Sequence, residues 1–263
     1  MAIVKAMQGG TVTFKANEFG HKGAEFEEGM EEGKLTIPPA DEYWFTYWLR
    51  LKPGWIEGWG GKLPGLAGGT ATSGGADITP NGWSDRVMWG EMRDGLREYR
   101  YEQDRKSSFG DWYPFAGDRF LDVGKWHRMT QWVVINRPNK QDGQVKWWLN
   151  DELVLHETKI RWRGDVSENK ARVDRVRMTI FLGGGSQQWA VDKETSIEFS
   201  DFYVTDCEPA PSDDHNAKPV CKGEIEKPPE NEVVATISIH PGYAARMAKE
   251  EGGSKLVRIY KES

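Results

Sequence analysis

The chain has 263 residues, 29% of them charged, with a formal net charge of -6, a length that allows one large all-β domain or two small ones. The acidic balance speaks against nucleic-acid binding, and any acidic partner would need a local cationic site to overcome the overall field. No apolar run approaches the ~20 residues of a membrane helix, so no membrane partner is expected.

The N-terminus, Met1-Ala2-Ile3-Val4-Lys5-Ala6, lacks the longer apolar core of a secretory signal. A chain whose signal has been removed, or a virus- or cell-internal protein, would read the same way. His21 lies beside the turn-forming Gly20 and Gly23 and has no evident partner. Residues 42–52 alternate strictly, with Tyr43, Phe45, Tyr47, Leu49 and Leu51 on one face and Trp44, Thr46, Trp48 and Arg50 on the other. That period of two marks a strand with a greasy inner face.

Residues 60–69, Gly-Gly-Lys-Leu-Pro-Gly-Leu-Ala-Gly-Gly, read as a Gly-rich loop that lets the backbone approach a ligand closely. Lys62 gives that loop a compact, rotatable cation. The spacing is wrong for a phosphate-binding loop, and no Lys-Ser/Thr pair is present. Downstream, Asp94-Gly95 suits a two-residue hairpin turn. That turn pairs Arg93 with Leu96, Gly90 with Tyr99 and Met88 with Tyr101. Side chains alternate along a strand and opposed residues share a face, so Ser84, Arg86, Tyr99 and Tyr101 point the same way. A one-residue slip in register would break this arrangement.

His127, in Gly124-Lys125-Trp126-His127, reads as a structural histidine at a strand start. Residues 130–136, 145–149, 175–182 and 196–205 read as further strands, with turn chemistry at Asp142-Gly143 and Asn150-Asp151. No long amphipathic helix precedes about residue 240, and there is no internal repeat. Regularly spaced strands with Gly-rich turns argue for an all-β jelly-roll β-sandwich. The domain is expected to cover residues 1–206, with residues 207–263 as a C-terminal extension. Within it, residues 208–232 read as a linker or extended wrap, residues 233–239 as one strand, and residues 243–250 as a short helix stopped by Gly252-Gly253. Cys207 and Cys221 could form a disulfide that pins a loop or remain free thiols.

A lysine, an arginine, a serine and two tyrosines suit elimination across a uronic acid. The proton at C5 of such a sugar is weakly acidic, and a cation that neutralises the neighbouring carboxylate stabilises the developing enolate-like charge. Tyrosine can act as base or as acid, but its ordinary pKa is about 10. Lys62 and Arg86 nearby are expected to favour the phenolate and lower that value, giving activity that rises toward alkaline pH. This chemistry calls for no metal or other cofactor, and the five histidines show no zinc-ligand spacing. Glycoside hydrolysis needs a pair of positioned carboxylates. Of the candidates Glu91, Glu98 and Glu102, the first two face away from the tyrosines. Singly, each feature has a plain packing explanation; the combination carries the reading. The 13 Trp, all between Trp44 and Trp189, suit a sandwich core or a sugar-stacking surface. Trp44 and Trp48 are accordingly candidates for stacking on sugar rings or for sheet packing.

The segment Gly60-Gly61-Lys62-Leu63-Pro64-Gly65-Leu66, with Ser84-x-Arg86 and Tyr99-x-Tyr101, resembles polysaccharide lyase family 14, which holds alginate and related polyuronate lyases. The similarity in order and spacing runs from about Trp55 to Tyr101, and more loosely through Trp126-His127 and residues 181–184. Fungal glucuronan lyases have a similar motif and fold. The resemblance implies a β-jelly roll with a concave substrate cleft, an acidic polysaccharide as substrate, and cleavage of a 1,4-linked polyuronate that leaves an unsaturated uronate end. It implies a catalytic role for Lys62, substrate-binding roles for Ser84 and Arg86, and roles for Tyr99 and Tyr101 jointly as base and acid. An extracellular, virus- or cell-wall-associated setting fits it. A non-catalytic carbohydrate-binding jelly roll is the competing expectation.

Overall fold

The computed structural model describes residues 3–90, 95–117, 119–223, 243–249 and 255–261. By contact the chain divides into two units, Met1–Gly223 and Glu224–Ser263. The first unit opens with β1 (Ile3–Met7), β2 (Gly10–Phe14), a 3-10 turn at His21–Gly23, β3 (Ala24–Phe26), β4 (Gly33–Ala40) and β5 (Glu42–Leu51). Next come β6 (Gly61–Lys62), β7 (Gly65–Gly69), β8 (Gly82–Trp89), β9 (Leu96–Tyr101), β10 (Asp111–Pro114) and β11 (Trp126–Val134). It closes with β12 (Gly143–Leu149), β13 (Glu152–Ile160), β14 (Val173–Met178), β15 (Phe181–Leu182), β16 (Thr195–Phe199) and β17 (Phe202–Thr205).

These strands make two antiparallel sheets, so the unit is an all-β sandwich of the expected jelly-roll kind. One sheet has the order β13-β12-β11-β5-β16-β2-β3, with β17 against β5 and β1 against β17. The other has the order β10-β9-β8-β7-β14-β4, with β6 against β8 and β15 against β6. The strict alternation of residues 42–52 becomes β5, whose Tyr43, Phe45, Tyr47 and Leu49 face the shared core with Trp83, Val87, Met129, Trp147 and Val176. Asn150 and Asp151 take positive φ, 51° and 62°, and turn β12 back into β13, as their residue types permit. The expected strand at 196–205 divides at Ser200, whose Oγ accepts the Trp48 N–H at 3.1 Å. No helix among the described residues is long and apolar enough to cross a membrane.

β8 departs from simple alternation, since its residues are buried on both faces. Trp83, Val87 and Trp89 enter the core, while Ser84, Arg86 and Met88 point outward and are covered by loops. That second, covered face is where the polar residues gather.

Two expectations are corrected at the C-terminal end. The first unit does not stop near Asp206 but continues to Gly223. Cys207 and Cys221 form a disulfide, and the loop it closes lies on β11: Arg128 Nη1 donates to the Ala210 carbonyl at 2.9 Å, and His215 stacks on Trp126 at 4.3 Å. In the second unit the helix expected at 243–250 is instead a strand, β18 (Tyr243–Lys249), paired antiparallel with β19 (Lys255–Lys261). The expected strand at 233–239 lies outside the described residues.

Candidate active site

Strands β8 and β9 supply four of the expected residues. Ser84 pairs with Tyr101 and Arg86 with Tyr99, which is not the register that a two-residue turn would impose. Met88 meets Arg97, not Tyr101, a displacement of four positions (101 − 97 = 4). The strands are joined by a longer connection, whose Gly90 N–H donates to the Gly95 carbonyl at 3.0 Å; Asp94 and Glu91 lie outside the described residues. A shift of four is even, so every side chain keeps the face the alternation assigned to it. Ser84, Arg86, Tyr99 and Tyr101 do share the outer face of the eight-stranded sheet.

Lys62 reaches the same place by a different route from the expected loop. Residues 61–62 form the short strand β6, held between β8, where Lys62 pairs with Met88, and β15, where it pairs with Phe181. The glycine beside it is needed for packing: a Cβ on Gly61 would fall 2.0 Å from the Trp89 ring. The half-buried Lys62 Nζ stands 5.0 Å from the ring centroids of both Tyr99 and Phe181.

The two tyrosine hydroxyls are 3.1 Å apart, with their rings edge to face, and the residues are 4% and 1% exposed. Gly110 N–H donates to the Tyr99 hydroxyl at 3.2 Å and Gly75 N–H to the Tyr101 hydroxyl at 3.1 Å. A Cβ on Gly110 would sit 2.7 Å from the Tyr99 ring and 2.8 Å from that of Tyr101, so only glycine fits there. Each hydroxyl has one proton to give and can accept twice. Because one donates to the other, the pair keeps a single uncommitted proton.

Cations surround this pair. Arg86, 2% exposed, donates from Nη1 to Thr179 Oγ1 at 2.8 Å. Arg177 donates from Nη1 to the Ala71 carbonyl and to Ser73 Oγ, both at 2.7 Å. The Nε of each is buried without a hydrogen-bond partner among the described residues. Ser84 is fully buried and its Oγ donates to the Thr72 carbonyl at 2.6 Å; it anchors the loop over the site. Burial, then the charges of Arg86 and Arg177, pull the Lys62 amine down to about 7. Burial and then Arg177 also lower Arg86. The expectation of an acidified tyrosine is overturned: burial, then the hydrogen bond to Tyr101, raises Tyr99, and the attraction of Arg86 for its phenolate is too small to reverse this.

Other expected residues lie elsewhere. Trp44 and Trp48 belong to β5 of the nine-stranded sheet and point away from the core. Trp44 packs between Trp132 and Trp148 at 5.6 and 5.2 Å, so neither joins the tyrosines. His127 Nε2 accepts the Asp122 N–H at 2.9 Å. Glu98 faces the core with no exposed surface. Glu102 Oε2 accepts the Asp104 N–H at 2.7 Å, so neither glutamate turns toward the tyrosines.

Sequence reasoning missed Arg177 and Thr179, and it found no partner for His21. The first two were findable, since Arg175, Arg177 and Thr179 fall at alternate positions of residues 175–182, read as one strand; β14 ends at Met178, one residue before Thr179. His21 left no signal. Its ring meets Phe181 at 4.2 Å, and burial, then Arg86, Arg177 and Lys62, lower it.

The sequence matches the family described as polysaccharide lyase 14 over residues 2–202. Among curated proteins, none matches it. Among solved structures, a double mutant of the alginate lyase Aly36B in complex with an alginate tetrasaccharide is similar, with a TM-score of 0.65 at 19% identity over 74% of this chain and 79% of that one. A PL-14 alginate lyase from the marine Aplysia kurodai gives 0.58 at 21% over 74% and 81%. The alginate lyase vAL-1 from a Chlorella virus gives 0.57 at 20% over 74% and 83%. At these identities the structural likeness is one of fold.

Proposed function

The chain belongs to polysaccharide lyase family 14, and from that premise we propose that this polysaccharide lyase cleaves a 1,4-linked polyuronate, alginate or glucuronan, by β-elimination. The observation that carries the reading is Lys62: an amine depressed to about 7 standing 5.0 Å over the ring of a tyrosine pair that retains one free proton. A base is most effective when its pKa lies near the working pH, which favours the neutral Lys62 amine over a raised tyrosine. Lys62 takes the C5 proton. The electron pair of that C–H bond forms the C4–C5 double bond as the C4–O bond breaks. The departing oxygen takes the free proton of the Tyr99–Tyr101 pair. Arg86 and Arg177, each with a buried Nε that has no hydrogen-bond partner among the described residues, neutralise the uronate carboxylate and stabilise the developing charge. Ser84 holds the covering loop. The product carries an unsaturated uronate at its new non-reducing end.

The test is ultraviolet absorbance of that product with polymannuronate, polyguluronate and glucuronan supplied separately. Absorbance rising on one of them supports elimination and names the polymer. Tyr99→Phe and Tyr101→Phe are expected to lose about 10²–10⁴ in turnover with polymer still bound, the usual worth of a positioned proton donor. Silence of the wild-type protein on all three polymers, with binding retained, would favour a carbohydrate-binding module instead.

A further inference from the structure

The sheet register sets a row of residues across the strands, at right angles to the chain direction of each. Trp112 on β10 is opposite Tyr99 on β9, and Tyr99 is opposite Arg86 on β8. Ala67 on β7 pairs with Ser84, which puts Gly65 two residues along beside Arg86; a Cβ on Gly65 would lie 2.9 Å from the Arg86 Cα. Gly65 is opposite Arg177 on β14, and Arg177 is opposite Lys34 on β4. Opposed residues share a face, and Val176 with Leu35 take the core side, so Arg177 and Lys34 stand on the outer face with the tyrosines. At 4.7–4.9 Å per strand, the five steps from Trp112 to Lys34 span roughly 24 Å, the length of several sugar units.

The two ends of the row differ in chemistry. On the β4 side, Arg86, Arg177 and the exposed Lys34 crowd like charges together, and Lys34 is lowered by burial, then by Arg177 and Arg175. Such mutual repulsion is unfavourable in the free protein and is relieved by a bound polyanion. On the other side, Trp112 is 40% exposed, has the Arg97 guanidinium 4.3 Å from its ring centroid, and meets the Tyr99 ring edge to face at 6.2 Å. An exposed indole of this kind is a stacking platform for a ring.

We propose that Lys34 and Trp112 are the outer subsites of a binding track on which the polyuronate lies across the strands, with acidic units over Arg177 and Lys34 and one sugar ring on Trp112 beyond the reacting bond. The inference rests on the polyuronate reading and adds to it a direction and two specificity residues. Neither residue takes part in the proton transfers.

The experiment compares wild-type protein, Lys34→Ala and Trp112→Ala on uronate oligomers of defined length, following KM, kcat and product sizes. Each variant should raise KM on long oligomers about three- to tenfold, as expected for an exposed ion pair or a surface aromatic contact. The shortest cleavable oligomer and kcat should be little affected, and Trp112→Phe should recover most of the loss. Because the two residues lie on opposite sides of Tyr99, the two variants should move the preferred cleavage position in opposite directions. Unchanged product patterns, or equal KM effects at every length, in variants of an active enzyme would overturn the track alone. A wild-type protein inert on every uronate polymer would overturn the function it rests on, and the track with it.

Discussion

Burial and the neighbouring guanidinium groups make Lys62 give up its proton near pH 7 instead of at 10.5. The unfolded chain has no such neighbours and keeps that proton to its ordinary value. Between the two values the unfolded state therefore binds a proton that the folded state lacks, so stability rises with pH across that window and the cost is greatest below pH 7. Lys62→Met removes the cost while keeping most of the side-chain volume. We expect it to raise the melting temperature at neutral pH, by about 2–4 °C for each kcal/mol recovered, and to abolish turnover. A melting temperature that falls would mean the amine stabilises the fold, contrary to the environment described. Stability surrendered at one residue in exchange for reactivity is a recurring cost of active sites.

At the scale of elements, the site is an agreement among short segments. β8 and β9 present Arg86 and the tyrosines, β6 brings Lys62, β14 brings Arg177, and the loops at Gly75 and Gly110 fix the two hydroxyls. Alternation made the shared face of Ser84, Arg86, Tyr99 and Tyr101 legible, because face depends only on whether a shift is odd or even. It could not reveal the register, which was set by the length of the connection at residues 90–95. The glycines of residues 60–69 were misread as a ligand loop because their close approach is to Trp89 and neighbouring strands. Beyond the sheets, the segment closed by Cys207–Cys221 is fastened to β11 and to the β12–β13 turn, where Ser212 N–H meets Asp151 Oδ2 at 3.2 Å. It makes none of the contacts described for the tyrosine site. Replacing both cysteines by serine should lower stability by about 3 kcal/mol for a loop of this length, read from the denaturant midpoint. kcat at 25 °C should be unchanged; a large fall in kcat with the fold intact would tie this segment to the site.

For the molecule as a whole, composition and strand periodicity were enough for an all-β sandwich, because half-buried strands must alternate. They did not reach the protonation states, which depend on how deeply the two sheets and the covering loops bury each group. An exposed tyrosine beside two cations would be acidified, whereas the buried Tyr99 is raised and Lys62 is the group brought near neutrality. The two assignments of the base make opposite statements about pH, and kcat/KM reports the free enzyme's groups. The decisive measurement is therefore kcat/KM for a polyuronate across pH 5 to 11. With Lys62 as base, the rate climbs to a plateau with an ascending limb near pH 7, and the limb in kcat lies higher because a bound carboxylate favours the ammonium. An ascending limb at or above pH 10, with the enzyme folded throughout, would return the base to the tyrosine pair and contradict the mechanism.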